Sequence, residues 1–338
     1  MKPWFRLVLF TITFIECVTC IYFGLTLYNR FLARRNVLGA TQVVRLKKSD
    51  FNFPTDDKFK HFYEPKPNTV IEETPKWLPY VTHSTINEDS LNDRYNYSVE
   101  KPQHTFRIIT VGDSFTYGLY VDTKDNYSER LEDMLNAKRC SGVDKFEVLN
   151  LGVPGYDIGY SLERFMQRGR KYSPDLVVWL MNSFNFELYA DYKLAREDEI
   201  VRTTSPDELV KLENEYEARG EYSYPSVKAA ADTIAHFGKD TIRTVELSYL
   251  QDFKNYYQGP LFLGLLDLPF WPSNTLALID TYASSRSSTW VDRDLPPIHG
   301  TQYGLADGHP NSEGHKKIAE IIYTYLRGNH IIPCSDVQ

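Results

Sequence analysis

Phe106-Arg107-Ile108-Ile109-Thr110-Val111-Gly112-Asp113-Ser114 is the stretch on which the reading of this chain turns. Its first six residues are largely apolar or β-branched and read as a short strand, which Gly112 and Asp113 end. Downstream, Tyr127, Leu131, Met134 and Leu135 recur at the spacing of one helical stripe. Phe146 to Leu151 repeats the strand pattern and stops at Gly152. Leu176 to Met181 (LVVWLM) is nearly all apolar, as a strand buried on both faces must be. Leu261 to Leu266 (LFLGLL) is a fourth candidate strand. Ile318, Ile322, Tyr325 and Leu326 form the stripe of a last helix, with Asn311 placed to cap its N-terminus. Strands alternating with helices predict an α/β domain with a parallel sheet and helices on both faces.

Working outward, 338 residues with 42% hydrophobic content suit one such domain plus extensions. A net charge of −7 argues against a nucleic-acid partner. The four cysteines, Cys17, Cys20, Cys140 and Cys334, make no Cys/His pattern of a metal site, so no metal is expected. The 24 Tyr and 19 Phe suit loop packing or stacking against sugar rings, and both readings stay open. Leu7 to Tyr28 is apolar except for Glu16 and is long enough to cross a ~30 Å hydrocarbon core as a helix. Residues 1–36 are therefore expected to be an uncleaved single-pass membrane anchor. Lys2 and Arg6 before the span, and Arg30, Arg34 and Arg35 after it, leave the orientation open. By analogy with anchored enzymes, the rest of the chain is expected outside the cytosol. Residues 37–104 are polar and broken by prolines, and read as a linker draped over the domain. The domain itself spans 105–338, with a charged helical insertion over about 183–258 that is either a lid or a surface excursion.

The candidate chemistry sits at strand ends, where parallel α/β sheets bind ligands. Ser114 follows the first strand directly. A serine hydroxyl needs a base to become a nucleophile. His309, in Asp307-Gly308-His309-Pro310-Asn311 just before the last helix, offers one, and Asp307 is placed to orient its ring. A tetrahedral intermediate also needs hydrogen-bond donors for its oxyanion. Gly155, in Asn150-Leu151-Gly152-Val153-Pro154-Gly155, can offer a backbone N–H, and Asn182 at the end of the third strand a side-chain amide.

These four blocks, in the order Ser, Gly, Asn, His, resemble those of the SGNH (GDSL-like) hydrolase superfamily over about residues 105 to 330. The resemblance implies a flavodoxin-like sheet, no cofactor and acyl-enzyme chemistry. It makes Ser114 the nucleophile and an oxyanion donor, Gly155 and Asn182 the other donors, His309 the base and Asp307 its partner. Two departures leave alternatives. The family spaces Asp and His one residue further apart, so Asp292, Asp294 or a backbone carbonyl compete with Asp307 for His309. The third block reads Leu180-Met181-Asn182-Ser183 rather than Gly-x-Asn-Asp, and Asn185 competes with Asn182. His315 and His299 are outside candidates for the base. The implied fold also puts Cys140 and Cys334 at the same end of two helices sharing a face, where a disulfide and two free thiols are the alternatives to be tested.

The function expected is a serine esterase acting on O-acyl esters of small molecules or carbohydrates, carbohydrate O-acetyl groups among them. The alternatives are an acyltransferase modifying a cell-envelope polysaccharide and a non-catalytic scaffold that keeps the fold.

Overall fold

The computed structural model describes residues 51–52, 59–75, 77–137, 140, 142–218 and 223–334. The span from Leu7 to Tyr28 lies outside the described residues; among the described residues no helix is long and apolar enough to cross a membrane.

Five parallel strands form the central sheet: β1 (Thr105–Val111), β2 (Lys145–Asn150), β3 (Leu176–Met181), β4 (Leu261–Leu265) and β5 (Thr289–Asp292). Their order is β2-β1-β3-β4-β5, the flavodoxin-like order implied by the resemblance. The first four strands match the expected ones. β5 escapes the sequence reading because it is only Thr-Trp-Val-Asp, a half-exposed edge strand without an apolar run.

Nine α-helices among the described residues, α1 to α9, accompany the sheet. They are α1 (Ser114–Tyr117), α2 (Tyr127–Asn136), α3 (Ile158–Arg164), α4 (Ala190–Thr203), α5 (Pro206–Ala218), α6 (Tyr224–Phe237), α7 (Lys239–Tyr256), α8 (Ser273–Ser284) and α9 (Ser312–Gly328). Neighbouring strand residues point to opposite faces. Ile108, Val148, Val178 and Phe262 therefore pack against Leu131 and Leu135 of α2 and Ile318, Ile322 and Leu326 of α9. Ile109, Leu149, Val177, Trp179 and Leu263 pack on the other face against Leu162 of α3, Leu250 and Phe253 of α7 and Ile279 of α8. Each such side chain contributes roughly 1.5–3 kcal/mol by leaving water.

The insertion is helical as expected, but its last helix is not an excursion. α7 buries Leu250 and Phe253 in the core and is the crossover from β3 to β4, so the added elements are α4 to α6. The segment read as a linker is built into the domain from Phe59 onward. Thr69–Glu73 pairs antiparallel with Thr82–Ile86, and Ile71, Leu78 and Ile86 close over Tyr117, Leu119 and Tyr120. Phe59 and Phe62 pack on Val153, Tyr156 and Tyr160. The segment thus covers the loops leaving β1 and β2, an irregular contact that leaves no periodic signature in the sequence.

Cys140, beyond α2, is bonded to Cys334, beyond α9. The bond ties two helices of one face and closes a long loop, which restricts the unfolded chain. Cys334→Ser should lower unfolding stability by about 2–5 kcal/mol. Urea unfolding with and without reductant measures this; an unchanged midpoint in both would contradict the cross-link.

Candidate active site

The site forms at the carboxyl edge of the sheet, where β1 and β3 part and the strand order reverses. β1 runs into Asp113, whose side chain caps α1 by accepting the Phe115 N–H at 2.9 Å. Ser114 begins that single turn and is 9% exposed. From the far end of the chain, the loop before α9 delivers His309. Asn311 caps α9 by accepting the Gly314 N–H at 2.9 Å, which fixes where the loop ends.

His309 Nε2 lies 2.9 Å from Ser114 Oγ, and its Nδ1 lies 2.7 Å from Asp307 Oδ2. The shortened Asp-x-His spacing is met locally. Gly308 sits at φ +92°, a left-handed conformation that favours glycine, and the Asp307 carboxylate turns back on its own loop. It accepts the His309 N–H at 3.1 Å as well as the ring Nδ1 contact. Asp292 is instead buried on β5, where it accepts the Asp294 N–H at 2.8 Å. The rings of Phe115 and Tyr120 stand edge-on to His309, at 5.2 and 5.5 Å between centroids, and screen it from water.

Asn182 follows β3 directly. Its Oδ1 accepts the Phe184 N–H at 2.9 Å and its Nδ2 donates to Asp113 Oδ2 at 2.7 Å. Asn185 lies beside it. Its Nδ2 donates to both Asp113 Oδ2 (3.0 Å) and the Tyr156 carbonyl (3.1 Å). Both amide protons of Asn185 are therefore spent within the protein, whereas Asn182 spends one on Asp113. Gly155 lies exposed in the turn Val153-Pro154-Gly155-Tyr156, with φ +81° and the Tyr156 N–H 3.4 Å from the Val153 carbonyl. Proline then a left-handed glycine is the type II arrangement. The Tyr63 hydroxyl donates to the Pro154 carbonyl and holds that turn.

The structure thus brings Ser114, His309 and Asp307 into one chain of bonds and ties Asn182 to Asp113, the residue before Ser114. It separates the outside candidates. His315 is fully buried; its Nδ1 accepts the Tyr127 N–H at 3.2 Å and its ring stacks on Tyr127. Burial pushes its pKa down to about 3, so it stays neutral. His299 has its own carboxylate, Asp267, at 2.7 Å.

Two residues went unassigned in the sequence. Asp113 is the hub that fixes Phe115, Asn182 and Asn185 at once, with its pKa raised by burial against those hydrogen bonds. Its place between a strand and a one-turn helix was the available signal. Glu73, from the hairpin, is buried beneath the Tyr120 loop and accepts the Tyr120 N–H at 2.8 Å. Nothing in its local sequence marks it.

Burial pushes the Glu73 pKa up to about 7 from 4.5, against hydrogen bonds from Tyr120, Thr82 and Ser84. The native state therefore holds this proton more tightly than the unfolded chain does. Stability should fall as pH rises from about 4.5 through 7, by about 3 kcal/mol from this group. Glu73→Gln should be more stable than the parent near pH 8 and lose that advantage near pH 4. Urea midpoints at the two pH values decide it, and a variant weaker near pH 8 contradicts the assignment.

No protein-family model matches the chain, and no curated relative matches it either. It is similar to several solved structures. TesA is 17% identical, with a TM-score of 0.36, over 66% of this chain and 98% of that one. The psychrotrophic esterase EstA from Pseudoalteromonas sp. is 13% identical, with a TM-score of 0.39, over 67% and 99%. A protein from Desulfitobacterium hafniense DCB-2, described as lipolytic and of the G-D-S-L family, is 14% identical, with a TM-score of 0.35, over 65% and 99%. Likenesses this distant leave the weight of the functional argument on the geometry of the site.

Proposed function

We propose that this chain is an SGNH-type serine esterase that works through an acyl-enzyme. The observation that carries the reading is the unbroken relay Ser114–His309–Asp307, with contacts of 2.9 and 2.7 Å. Ser114 Oγ attacks the ester carbonyl while His309 Nε2 takes its proton. Asp307 holds the ring with its remaining proton on Nδ1 and stabilises the imidazolium that forms. The oxyanion is received by the N–H groups of Ser114 and Gly155 and by the second amide proton of Asn182. One such donor is typically worth about 10²–10³ in rate. Collapse of the intermediate expels the alcohol, which takes the proton from His309. Water, activated by the same histidine, then releases the acid and restores Ser114.

Asp113 keeps the oxyanion side rigid by tying Asn182 to the turn that carries Ser114. A non-catalytic scaffold would suit a histidine without its carboxylate, whereas Gly308 supplies a local route by which Asp307 meets His309. The substrate class we favour is O-acyl esters with small acyl groups, carbohydrate O-acetyl esters among them. The Cys140–Cys334 bond suits an oxidising compartment. It agrees with an anchor in residues 1–36 and a catalytic domain held outside the cytosol. Steady-state hydrolysis of p-nitrophenyl esters of increasing acyl length tests the reading. Turnover with an initial burst of nitrophenol is expected, and no turnover of any member would contradict it. Product analysis with a polysaccharide acceptor present separates hydrolysis from transfer.

A further inference from the structure

A row of rings leads away from His309 toward solvent. Phe115 lies 5.2 Å from His309, His299 6.3 Å from Phe115, and Phe270 5.5 Å from His299, between centroids. His309 and Phe115 are buried, the His299 side chain is 31% exposed and Phe270 is 61% exposed. The row therefore runs outward from the buried base to the surface.

His299 is held as firmly as His309, although the proposed chemistry does not use it. Its Nδ1 meets Asp267 Oδ2 at 2.7 Å, and Asp267 is buried just beyond β4, at the same edge of the sheet as Ser114. Asp267 Oδ1 also accepts the N–H groups of Ile298 (2.8 Å) and His299 (3.3 Å). In the neutral ring this places the proton on Nδ1 and leaves Nε2 as an acceptor. Gly308 adds no side chain against that nitrogen, where a Cβ would lie 2.7 Å from it.

We infer that His299 and Phe270 form the subsite for the alcohol half of the ester, and that this alcohol is a sugar. The side of the site rests on the serine-esterase reading above. His309 returns its proton to the leaving oxygen, so the alcohol departs on the His309 side, away from Asn182 and Gly155. The row begins on that side. An aliphatic chain gains nothing from an imidazole fixed by a buried carboxylate. A sugar ring offers C–H faces to Phe270 and a hydroxyl to His299 Nε2.

Two arms test the inference. In the first, Ser114→Ala protein is titrated with 6-O-acetylglucose by ligand-observed NMR, alone and combined with Phe270→Ala or His299→Gln. Each added substitution should weaken binding about tenfold, the size of one lost contact of ~1.4 kcal/mol. In the second, the ratio of kcat/KM for 6-O-acetylglucose to that for ethyl acetate should fall by a similar factor in the single variants. Absence of sugar-ester binding, an affinity that neither substitution moves, or a ratio that stays constant would overturn the subsite. Phe270 is exposed, so its alanine variant keeps the core intact. If the wild type turns over neither ester, the esterase reading fails and the binding arm still decides the subsite.

Discussion

Replacing Ser114 by alanine should lower kcat for p-nitrophenyl acetate by about a millionfold, leaving only what the oxyanion donors and binding supply. In the proposed mechanism this hydroxyl is the group whose oxygen bonds to the acyl carbon. His309 lies 2.9 Å away, and its ring could at most direct a water. His309→Ala should cost nearly as much, because an unassisted hydroxyl is a poor nucleophile at neutral pH. The double variant should be no worse than either single one, since two members of one relay do not lose their effects independently. Ser114 is 9% exposed and packs at the start of a single turn, so removing one oxygen leaves the fold intact. A circular dichroism spectrum matching the parent would accompany the loss. Activity within tenfold of the parent in Ser114→Ala would remove the serine from the chemistry.

Asp307→Asn is expected to lower kcat by up to about 10⁴-fold while KM changes little. The carboxylate accepts from both the His309 N–H (3.1 Å) and Nδ1 (2.7 Å). An amide retains one acceptor oxygen, which the backbone N–H can keep. Its NH₂ then faces Nδ1, and a donor opposite Nδ1 selects the tautomer that places the proton on Nε2. In that tautomer His309 cannot take the serine proton. Asp292→Asn and Asp294→Asn should leave kcat within a small factor of the parent, because Asp292 bonds to the Asp294 N–H instead. An Asp292 variant as damaged as the Asp307 variant would show the orienting carboxylate to be misassigned.

The sheet was legible where burial is two-sided. Leu176–Met181 and Leu261–Leu265 read as strands because every one of their side chains is buried. β5 was not, because four residues at a half-exposed edge need no apolar run. Ser114 and His309 were legible as candidates because each sits at a chain reversal that the sequence marks with Gly, Asp or Pro. The pairing of His309 with Asp307 was open among three carboxylates, since it depends on the φ of Gly308 rather than on residue type. Asp113 and Glu73 act through partners far away in sequence, Asn182 for one and the Tyr120 loop for the other. No local pattern encodes such contacts. The same holds for the described residues between 59 and 104, whose irregular packing over Tyr117, Tyr120 and Tyr156 looks like a linker until the surface it covers is known.

The central claim is that Ser114 is a nucleophile activated by His309, and covalent labelling tests it most directly. The folded protein is treated with a fluorophosphonate and the adduct is located by peptide mass spectrometry. One adduct on Ser114 is predicted, absent in His309→Ala and in the urea-unfolded chain. No adduct on the folded protein, or one on a different serine with Ser114 unmodified, would contradict the account.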